Sequence, residues 1–386
     1  MLKHIFKLIW KKKKSNFLMM LEIFISFLIL FVVWSLSVYT YRNYVTPAGL
    51  STDNVWTVYL DFNTENDTLR RQYKDLIRQH LNASPEVVSH AFFSNNIPFG
   101  NSTSNTDFSY NGNMAMSNLM FVDESLPDVL GLSVASGTWF RTADTLGGTV
   151  PVVITRHLAR ELFGNDDPIG KILTQDNSKK KVVGVMDHYR HKSSFQEDDN
   201  SVLLPAGDWE NTLLVKLKPE ANNADYEAKL DAALHQLGKD WTIEIQHLDN
   251  MKSTQDKLVL IPLLILAIVC GFLIFNVGLG LFGVLFQNIS RRKGEIGIRR
   301  AMGATQSQVW RYFVGETLVI ASFGVALGIF FAVQIPLLHV LDVDTSVYTW
   351  GILLAALSIY LLAIICSFYP SRQAAAIFPA VALHEE

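Results

Sequence analysis

Four long apolar stretches, separated by polar segments of very unequal length, dominate the pattern of this chain. They cover residues 17–39, 258–286, 312–338 and 350–369, and each is long enough to cross the ~30 Å hydrocarbon core of a bilayer as a helix. The longest polar segment lies between the first and second stretches. The pattern therefore predicts an α-helical membrane protein with four transmembrane helices and one extracytoplasmic domain.

The distribution of basic residues predicts the side of the membrane on which each polar segment lies. A lysine run at 11–14 precedes the first span, whereas the segment before the fourth span contains Asp342 and Asp344 but no Lys or Arg. Basic residues mark the cytoplasmic side, so both termini are predicted to be cytoplasmic. The predicted boundaries are a cytoplasmic interfacial amphipathic helix (1–15), transmembrane helix 1 (16–41), an extracytoplasmic core domain (42–257), transmembrane helix 2 (258–287), a basic cytoplasmic segment (288–311), transmembrane helix 3 (312–338), a short outer loop (339–348), transmembrane helix 4 (349–369) and a cytoplasmic tail (370–386).

The large domain shows strand and helix patterns in an order that occurs twice. Residues 55–62, 66–81 and 86–93 have the patterns of a strand, a helix and a strand, and residues 212–217, 222–237 and 241–246 have the same patterns. Two such units with a long insertion between them predict a split, ferredoxin-like α+β domain at 53–94 and 206–250. The insertion, 95–205, opens with a polar, turn-rich stretch to 118 and then shows short strands at 119–122, 152–154 and 181–185, with a helix at 154–163.

The segment between the second and third spans carries five basic residues and one acid within 291–305. Gly303 predicts a helix that stops in the left-handed conformation. Thr305 and Gln308 have the spacing of a capping box, which predicts that a second helix starts there. The sequence thus predicts a short cytoplasmic helix, a break, and a new helix that enters the bilayer. Charge alone leaves open whether this segment is only a topology anchor.

Glycines and two glutamates stand out within the spans. Small residues let helices approach closely in lipid, so helix contacts are predicted at Gly271 and Gly278 of the second span and at Gly324 and Gly328 of the third. Glu22 in the first span is predicted to snorkel or to pair with the lysine run, with an intramembrane role as the alternative. For Glu316 in the third span, an inner-face ion pair with Arg311 or Arg300 is predicted.

No motif for covalent chemistry is present in the sequence. Cys270 and Cys366 both lie in apolar stretches, which predicts packing roles, and no zinc, nucleophile or nucleotide-binding fingerprint occurs. His188 and His191 near Asp187 have no second cluster at ligand spacing, so a solvated loop is the favoured interpretation over a metal site. The prediction is a non-catalytic membrane subunit without cofactor or metal, and without nucleic-acid partners, since the N-terminal lysines adjoin a span.

The run from Arg291 to Thr305 resembles the cytoplasmic coupling helix of the FtsX/MacB family of ABC-transporter permeases. Residues 151–185 are similar to the MacB-type periplasmic core domain, in which the split domain is called the porter and its insertion the sabre, and residues 369–386 resemble the terminal signature of the family. The resemblance implies that 288–311 docks into an ATP-binding subunit. The residues to which it assigns this contact are Arg291, Arg292, Lys293, Glu295, Ile296, Ile298, Arg299, Arg300, Met302 and Gly303.

The resemblance also implies what this protein does and where. It implies a permease of the bacterial inner membrane that lacks a fused ATP-binding domain and couples ATP hydrolysis by a separate cytoplasmic subunit to periplasmic conformational change, for efflux or envelope transport. The implied partners are that subunit, a second permease copy or homologue, a periplasmic adaptor and an outer-membrane channel. Two alternatives stay open, namely an FtsX-like regulator of cell-wall hydrolases and a lipoprotein-extraction permease.

Overall fold

The structure, a computed structural model, describes residues 13–141, 148–176, 178–207, 210–338 and 343–375. The chain divides into two compact units. The membrane unit comprises the chain up to Arg42 and from Ile261 onwards, and the α+β unit comprises Asn43–Leu260. Most of the interfacial helix predicted for 1–15 and most of the terminal signature lie outside the described residues, and 13–15 already belong to the first membrane helix.

Four helices are long and apolar enough to cross a membrane, as the pattern predicts. They are α1 (Lys13–Val45), α6 (Leu248–Ser290), α8 (Gln306–Ala332) and α10 (Thr345–Ala375), and the shorter α7 (Lys293–Ala301) and α9 (Gln334–Leu337) lie between them in sequence.

The helices of the membrane unit pack through large residues that fit against glycines. Gly324 and Gly328 of α8 face Ile23 and Phe27 of α1, and a methyl group at Gly324 would lie 2.7 Å from Cγ2 of Ile23. Ile23 and Phe27 are themselves buried. Lipid gives no hydrophobic force between helices, so close packing of this kind is what brings such helices together in a membrane.

Glu22, the residue before Ile23, also lies against a glycine. Its carboxyl group fills the space above Gly280 of α6. The side chains of Lys13 and Lys14 are not described, so pairing of Glu22 with the lysine run stays a prediction.

Between Val55 and His247, the described part of the α+β unit contains eleven strands and four α-helices. The strands are β1 (Val55–Asp61), β2 (Val87–Ser94), β3 (Asn105–Tyr110), β4 (Asn113–Val122), β5 (Ser136–Gly137), β6 (Val150–Thr155), β7 (Ile172–Gln175), β8 (Ser178–Met186), β9 (Ser201–Pro205), β10 (Thr212–Leu217) and β11 (Thr242–His247). The helices are α2 (Asp67–Ala83), α3 (Leu126–Leu130), α4 (Arg156–Phe163) and α5 (Ala224–Leu237).

The first and last parts of this unit form the predicted split ferredoxin-like domain. Its four strands are antiparallel neighbours in the order β11-β1-β10-β2. Helices α2 and α5 cover one face, where Ile77 and Leu234 pack with Trp56 from β1. The two strand–helix–strand patterns in the sequence therefore correspond to one continuous layer.

The insertion forms a closed ring of six strands. The ring runs β4-β3-β7-β8-β6-β9 and closes through parallel pairing of β9 with β4. Its interior is filled by residues such as Phe108, Leu158 and Val182. A ring leaves no free edge between these strands, which protects the insertion from pairing with other chains.

Several predicted boundaries were wrong. The stretch 95–118, expected to be turn-rich, contains β3 and the start of β4, which pair in register from Asn105↔Asn118 to Tyr110↔Asn113. The helix expected at 154–163 starts at Arg156, because Ile154 and Thr155 still pair in β6. Helix α6 starts ten residues before the predicted second span, because Leu248 and Met251 are buried in the α+β core.

Two boundaries in the membrane unit also differ from the prediction. The segment 288–311 contains the predicted short helix (α7), break and new helix, but α8 begins at Gln306, six residues before the predicted start of the third span at 312. No helix end occurs at 370, since α10 continues through Pro370 to Ala375. A proline in a long membrane helix is tolerated where neighbouring helices pack around it.

Candidate functional site

The segment between α6 and α8 forms a sharp helical elbow, defined here as residues 291–308. At the end of α7, the Gly303 amide donates to the Arg300 carbonyl at 3.1 Å and the Ala304 amide donates to the Arg299 carbonyl at 3.0 Å, with Gly303 at φ 94°. This is a Schellman motif, in which the residue after the helix takes a left-handed conformation. That residue is usually glycine and sometimes asparagine. Thr305 and Gln308 then form the predicted capping box and start α8.

One buried arginine ties the elbow together. Arg292 is only 8% exposed and donates from Nη1 to Glu316 of α8 at 2.7 Å and from Nε to Glu295 of α7 at 2.9 Å. Arg299 also bonds Glu295, at 2.7 Å, and its guanidinium lies 4.3 Å from the centre of the Tyr312 ring. Charge pairs and cation–π contacts of this kind hold α7 in a fixed position against α8.

The same network sets the charges of the elbow. Burial opposes the charge of Arg292, but the hydrogen bond to Glu295 and the charge of Glu316 raise the pKa of Arg292 above its ordinary value. Burial would raise the pKa of Glu295, yet Arg292 and Arg299 outweigh it and lower that pKa. Both groups are therefore charged at neutral pH, and the ion pairs are present there.

The outer face of α7 has a different character. Ile298 is 52% exposed and Met302 is 76% exposed, one helical turn apart. Arg291, at the start of the elbow, is also exposed. Ile296, on the opposite face, is fully buried in the core of the membrane unit. The exposed face of α7 thus carries a small apolar stripe near the positive charge of Arg291. The opposite face of the same helix is held against the bundle by the buried Ile296.

The ten residues predicted from the sequence to contact an ATP-binding subunit therefore separate into two sets. The first set faces the bundle and consists of Arg292, Glu295, Ile296 and Arg299. The second set is exposed and consists of Arg291, Ile298, Met302 and Gly303. Of the other two, Arg300 donates to the Ala304 carbonyl at 3.3 Å, and the side chain of Lys293 is outside the described part. Among the glycines with predicted helix contacts, Gly278 lies against Leu362, whereas a methyl group at Gly271 would have no neighbour within 4 Å in the described part of the chain apart from its own helix.

The partner predicted for Glu316 was wrong. An ion pair is present, but it is with Arg292, not with Arg311 or Arg300. The residues are 24 positions apart in sequence, and only the reversal of direction between α7 and α8 brings them together. The lone acid inside the third span was the available signal, whereas Arg292 lies within the basic run 291–293, which does not single it out.

Replacing Arg292 by leucine should loosen α7 without unfolding the protein. Glu316 would be left without a guanidinium at a position only 15% exposed, and removal of one partner from such a pair destabilises by about 2–3 kcal/mol. Amide hydrogen exchange of the full chain in detergent should then be faster in 293–301. Arg311→Leu, which removes an exposed arginine nearby, is the matched control; equal exchange in both variants would contradict the role of Arg292.

The histidines near Asp187 form no metal cluster in the part of the chain that the structure covers. His188 pairs with Asp198, and His191 is 3% exposed with neither ring nitrogen bonded. The expectation of a solvated loop was wrong for His191, which stacks on the buried Tyr189 ring at 5.7 Å. Burial, as the largest effect, lowers the pKa of His191 to about 4, so this side chain is neutral at physiological pH.

Acidification should destabilise the α+β unit through His191. The unfolded chain takes up a proton near pH 6.5 but the folded one only near pH 4, so this contribution is complete above about 6.5 and is lost as pH falls towards 4. The full difference amounts to about 3 kcal/mol. Denaturation of the full chain followed by tryptophan fluorescence should show that His191→Phe removes most of this loss, and an unchanged pH profile would refute the assignment.

Comparison with known sequences identifies two matching families. Residues 17–233 match the family described as MacB-like periplasmic core domain, and residues 261–379 match the FtsX-like permease C-terminal family. Similar curated proteins include a pyoverdine export ATP-binding/permease protein, PvdT, of Pseudomonas syringae pv. tomato, 28% identical over 68% of this chain and 42% of that protein. The chain therefore spans about two fifths of the length of that relative.

Other similar proteins have different overall lengths. The uncharacterized ABC transporter permease YknZ of Bacillus subtilis is 24% identical, with 69% of each chain covered. The macrolide export protein MacB of Wolinella succinogenes is 23% identical over 72% of this chain and 45% of that one. Among solved structures, the periplasmic region of MacB from Actinobacillus actinomycetemcomitans is 19% identical, with a TM-score of 0.40, over 53% of this chain and 94% of that structure.

The first family match covers more than half of the chain, and the second covers the elbow and three of the four membrane helices. The first match begins within α1 and covers most of the α+β unit, and the second begins at Ile261, where the second part of the membrane unit starts. This chain belongs to the family of ABC-transporter permeases that combine a MacB-like periplasmic core domain with an FtsX-like permease domain.

Proposed function

We propose that this chain is the permease of an ABC transporter in which a separate ATP-binding subunit docks on the outer face of α7. The observation that carries the proposal is the exposed Ile298–Met302 stripe on a helix whose other face is anchored by Arg292. A helix that is held rigidly against the bundle moves the bundle when a bound subunit moves. A loosely held helix would move by itself and leave the bundle in place. Glu295 and Arg299 serve this contact indirectly, by fixing α7.

The proposed orientation places the elbow and both termini in the cytoplasm of a bacterium, with the chain in the inner membrane. The elbow carries five basic residues between two spans, which favours the cytoplasmic side. The α+β unit, between the first two spans, then lies in the periplasm. ATP binding on the cytoplasmic side would thus be coupled to conformational change on the other side of the membrane.

A second permease copy or homologue is proposed to complete the membrane unit. Helix α6 has only 6% of its most apolar window buried, compared with 33–39% in the other three spans. Gly271 on this helix is open, which would allow a further helix to approach closely. Helix α6 is therefore the surface that we expect the second copy to cover.

The transported material is proposed to be a small molecule or envelope component. The names of relatives refer to pyoverdine export and macrolide export, which favours efflux over regulation of wall hydrolases or lipoprotein extraction. A periplasmic adaptor and an outer-membrane channel are the partners that efflux would require. Capture of a wall hydrolase in place of an adaptor would favour the regulatory alternative.

Purification of the tagged full chain from its native membranes tests the docking proposal. The chain alone is expected to hydrolyse no ATP, and a co-purified ATP-binding subunit should supply the activity. Glu295→Gln and Arg299→Gln should leave this subunit bound but reduce the response of its ATPase rate to the permease by about tenfold. Normal coupled activity in both variants would reject the role of the elbow.

A further inference from the structure

The α+β unit contains a cavity of about 540 Å³ beside β11, the last strand in the order of the ferredoxin-like layer. Its walls come from three parts of the chain, namely strands β1 and β11, the loop 97–102 after β2, and the start of α6. Cavities of roughly 300–1,000 Å³ are typical of sites for small molecules. The cavity is therefore large enough for a ligand, and its walls indicate which kind of ligand it fits.

The loop that forms one wall is held in a strained conformation. Phe99 has φ 58°, a left-handed value that is unusual for a bulky residue, and is only 2% exposed. Its amide donates to the His191 carbonyl. The fully buried Asn96 of the same loop donates to the carbonyls of Ser104 and Leu119. Backbone strain persists only where surrounding contacts enforce it, and it is frequent at ligand sites. This wall is therefore already formed in the protein without a ligand.

The polar side chains of the cavity carry no charge. Four carboxamides contribute to the lining, those of Asn101, Gln246, Asn250 and Gln255. Each carboxamide offers a hydrogen-bond donor and an acceptor, so the set fits ligand groups that also do both, such as hydroxyls and amides. Among the described residues that line the cavity, none is Lys, Arg, Asp or Glu. A charged ligand would lose water here without gaining a counter-ion, which makes its burial costly.

Two carboxylates bond residues of the lining without belonging to it. Glu244 accepts a hydrogen bond from the Gln246 amide, and Oε2 of Glu227 lies 3.0 Å from Nε2 of His247. Burial, with a smaller contribution from Glu244, raises the pKa of Tyr59 in the cavity wall, so its phenol is neutral at physiological pH. The negative charges of Glu244 and Glu227 make an anionic ligand especially unfavourable.

The rest of the lining suits an apolar group. Ile97 and Phe99 of the loop, Ile245 of β11 and Met251 of α6 contribute apolar side chains. An amphipathic ligand thus finds an apolar surface next to hydrogen-bonding groups, which is the usual composition of a small-molecule site.

We propose that this cavity binds an uncharged molecule that carries hydroxyl or carboxamide groups next to an apolar ring or chain. The carboxamides of the lining hold the polar groups, and Phe99 and Met251 contact the apolar part. The cavity lies in the α+β unit, and its occupancy requires no ATP-binding subunit. The inference therefore goes beyond the proposed function and is tested separately from it.

Saturation-transfer NMR on the full chain in nanodiscs, with empty nanodiscs as the baseline, tests the proposal with two pairs of probes. The first pair is para-nitrophenyl glucoside, which is uncharged, and para-nitrophenyl glucuronide, which adds a carboxylate to the same framework. The second pair is N-acetylphenylalaninamide and its free acid, in which amides replace the hydroxyls. The uncharged member of at least one pair should bind with a Kd on the order of 10⁻⁴ M, and its acid should bind about tenfold more weakly.

The opposite results would overturn the proposal. Failure of both uncharged probes to bind would remove the ligand site, and equal binding of an acid and its uncharged partner would remove the assigned chemistry. A cationic analogue, para-nitrophenyl glucosaminide, should also bind more weakly than the glucoside, because the lining offers no carboxylate. Tighter binding of this amine would equally contradict an uncharged ligand.

Substitutions in α6 locate the bound probe. Thr254→Trp fills the cavity and should weaken binding of the uncharged probe by about tenfold or more, whereas Ser253→Trp, at the exposed neighbouring position outside the lining, should leave it within about twofold. Asn250→Lys supplies a counter-ion and should raise the affinity for the glucuronide by about tenfold, a gain that damage to the fold does not produce. Unchanged binding in Thr254→Trp, or an equal loss in both tryptophan variants, would overturn the assignment to this cavity.

Discussion

Replacing Ile298 and Met302 together by glutamate should abolish binding of the ATP-binding subunit while the permease stays folded. Both side chains are more than half exposed, so neither contributes to the core of the membrane unit. Burying such a side chain at an interface contributes about 1.5–3 kcal/mol, so loss of two corresponds to roughly 10²–10⁴-fold weaker binding. Co-purification of the subunit with the tagged permease, quantified by mass spectrometry, measures the effect.

The control for this pair introduces the same charge without removing apolar surface. Gln306→Glu with Ser307→Glu adds two carboxylates at exposed positions of the same elbow. This variant should retain most of the bound subunit, because its apolar stripe is intact. Equal loss in both variants would show that charge, and not the Ile298–Met302 stripe, governs the contact.

Gly328→Leu should destabilise the membrane unit strongly. Even a methyl group at this position would overlap the ring of Phe27, which is fully buried. Overpacking of a dense core costs about 1–3 kcal/mol, and leucine at a helix crossing should reach or exceed the upper end. The thermal midpoint of the full chain in detergent should fall by several degrees.

Gly315 provides the comparison for this substitution. It lies on the same helix, and among the described residues a methyl group there would have no neighbour within 4 Å outside its own helix. Gly315→Leu should therefore leave the thermal midpoint almost unchanged. A similar fall in both variants would mean that glycine is required in α8 for the helix itself and not for the contact with α1.

The elements with local signals could be predicted from the sequence. Thr305 and Gln308 define a capping box without reference to any distant residue, and β10 at 212–217 has the predicted bounds. By contrast, β3 is polar, with no buried side chain except Phe108, and becomes a strand through pairing on both sides. The Asn111–Gly112 pair, with φ of 47° and 91°, was the hairpin signal that the polar composition obscured.

The candidate site was predictable in position but not in its division into two faces. The basic run locates the elbow, yet nothing local distinguishes Arg292, which is buried, from Arg291, which is exposed. That difference depends on Glu316 and on Tyr312 and Phe313, which reach Arg292 only after α8 has folded back. The burial of the connection between β8 and β9 was missed for a similar reason, because its partners Asn43 and Asp256 are distant in sequence.

Photocrosslinking in growing cells tests the central claim most directly, by placing a benzoylphenylalanine at Met302, the most exposed apolar position of the elbow. The account predicts that the main adduct in the native organism is a cytoplasmic protein with a nucleotide-binding fingerprint, and that the adduct is absent when the probe replaces the buried Ile296. Adducts only with lipid or with a periplasmic protein would contradict the account, because the elbow would then not contact an ATP-binding subunit.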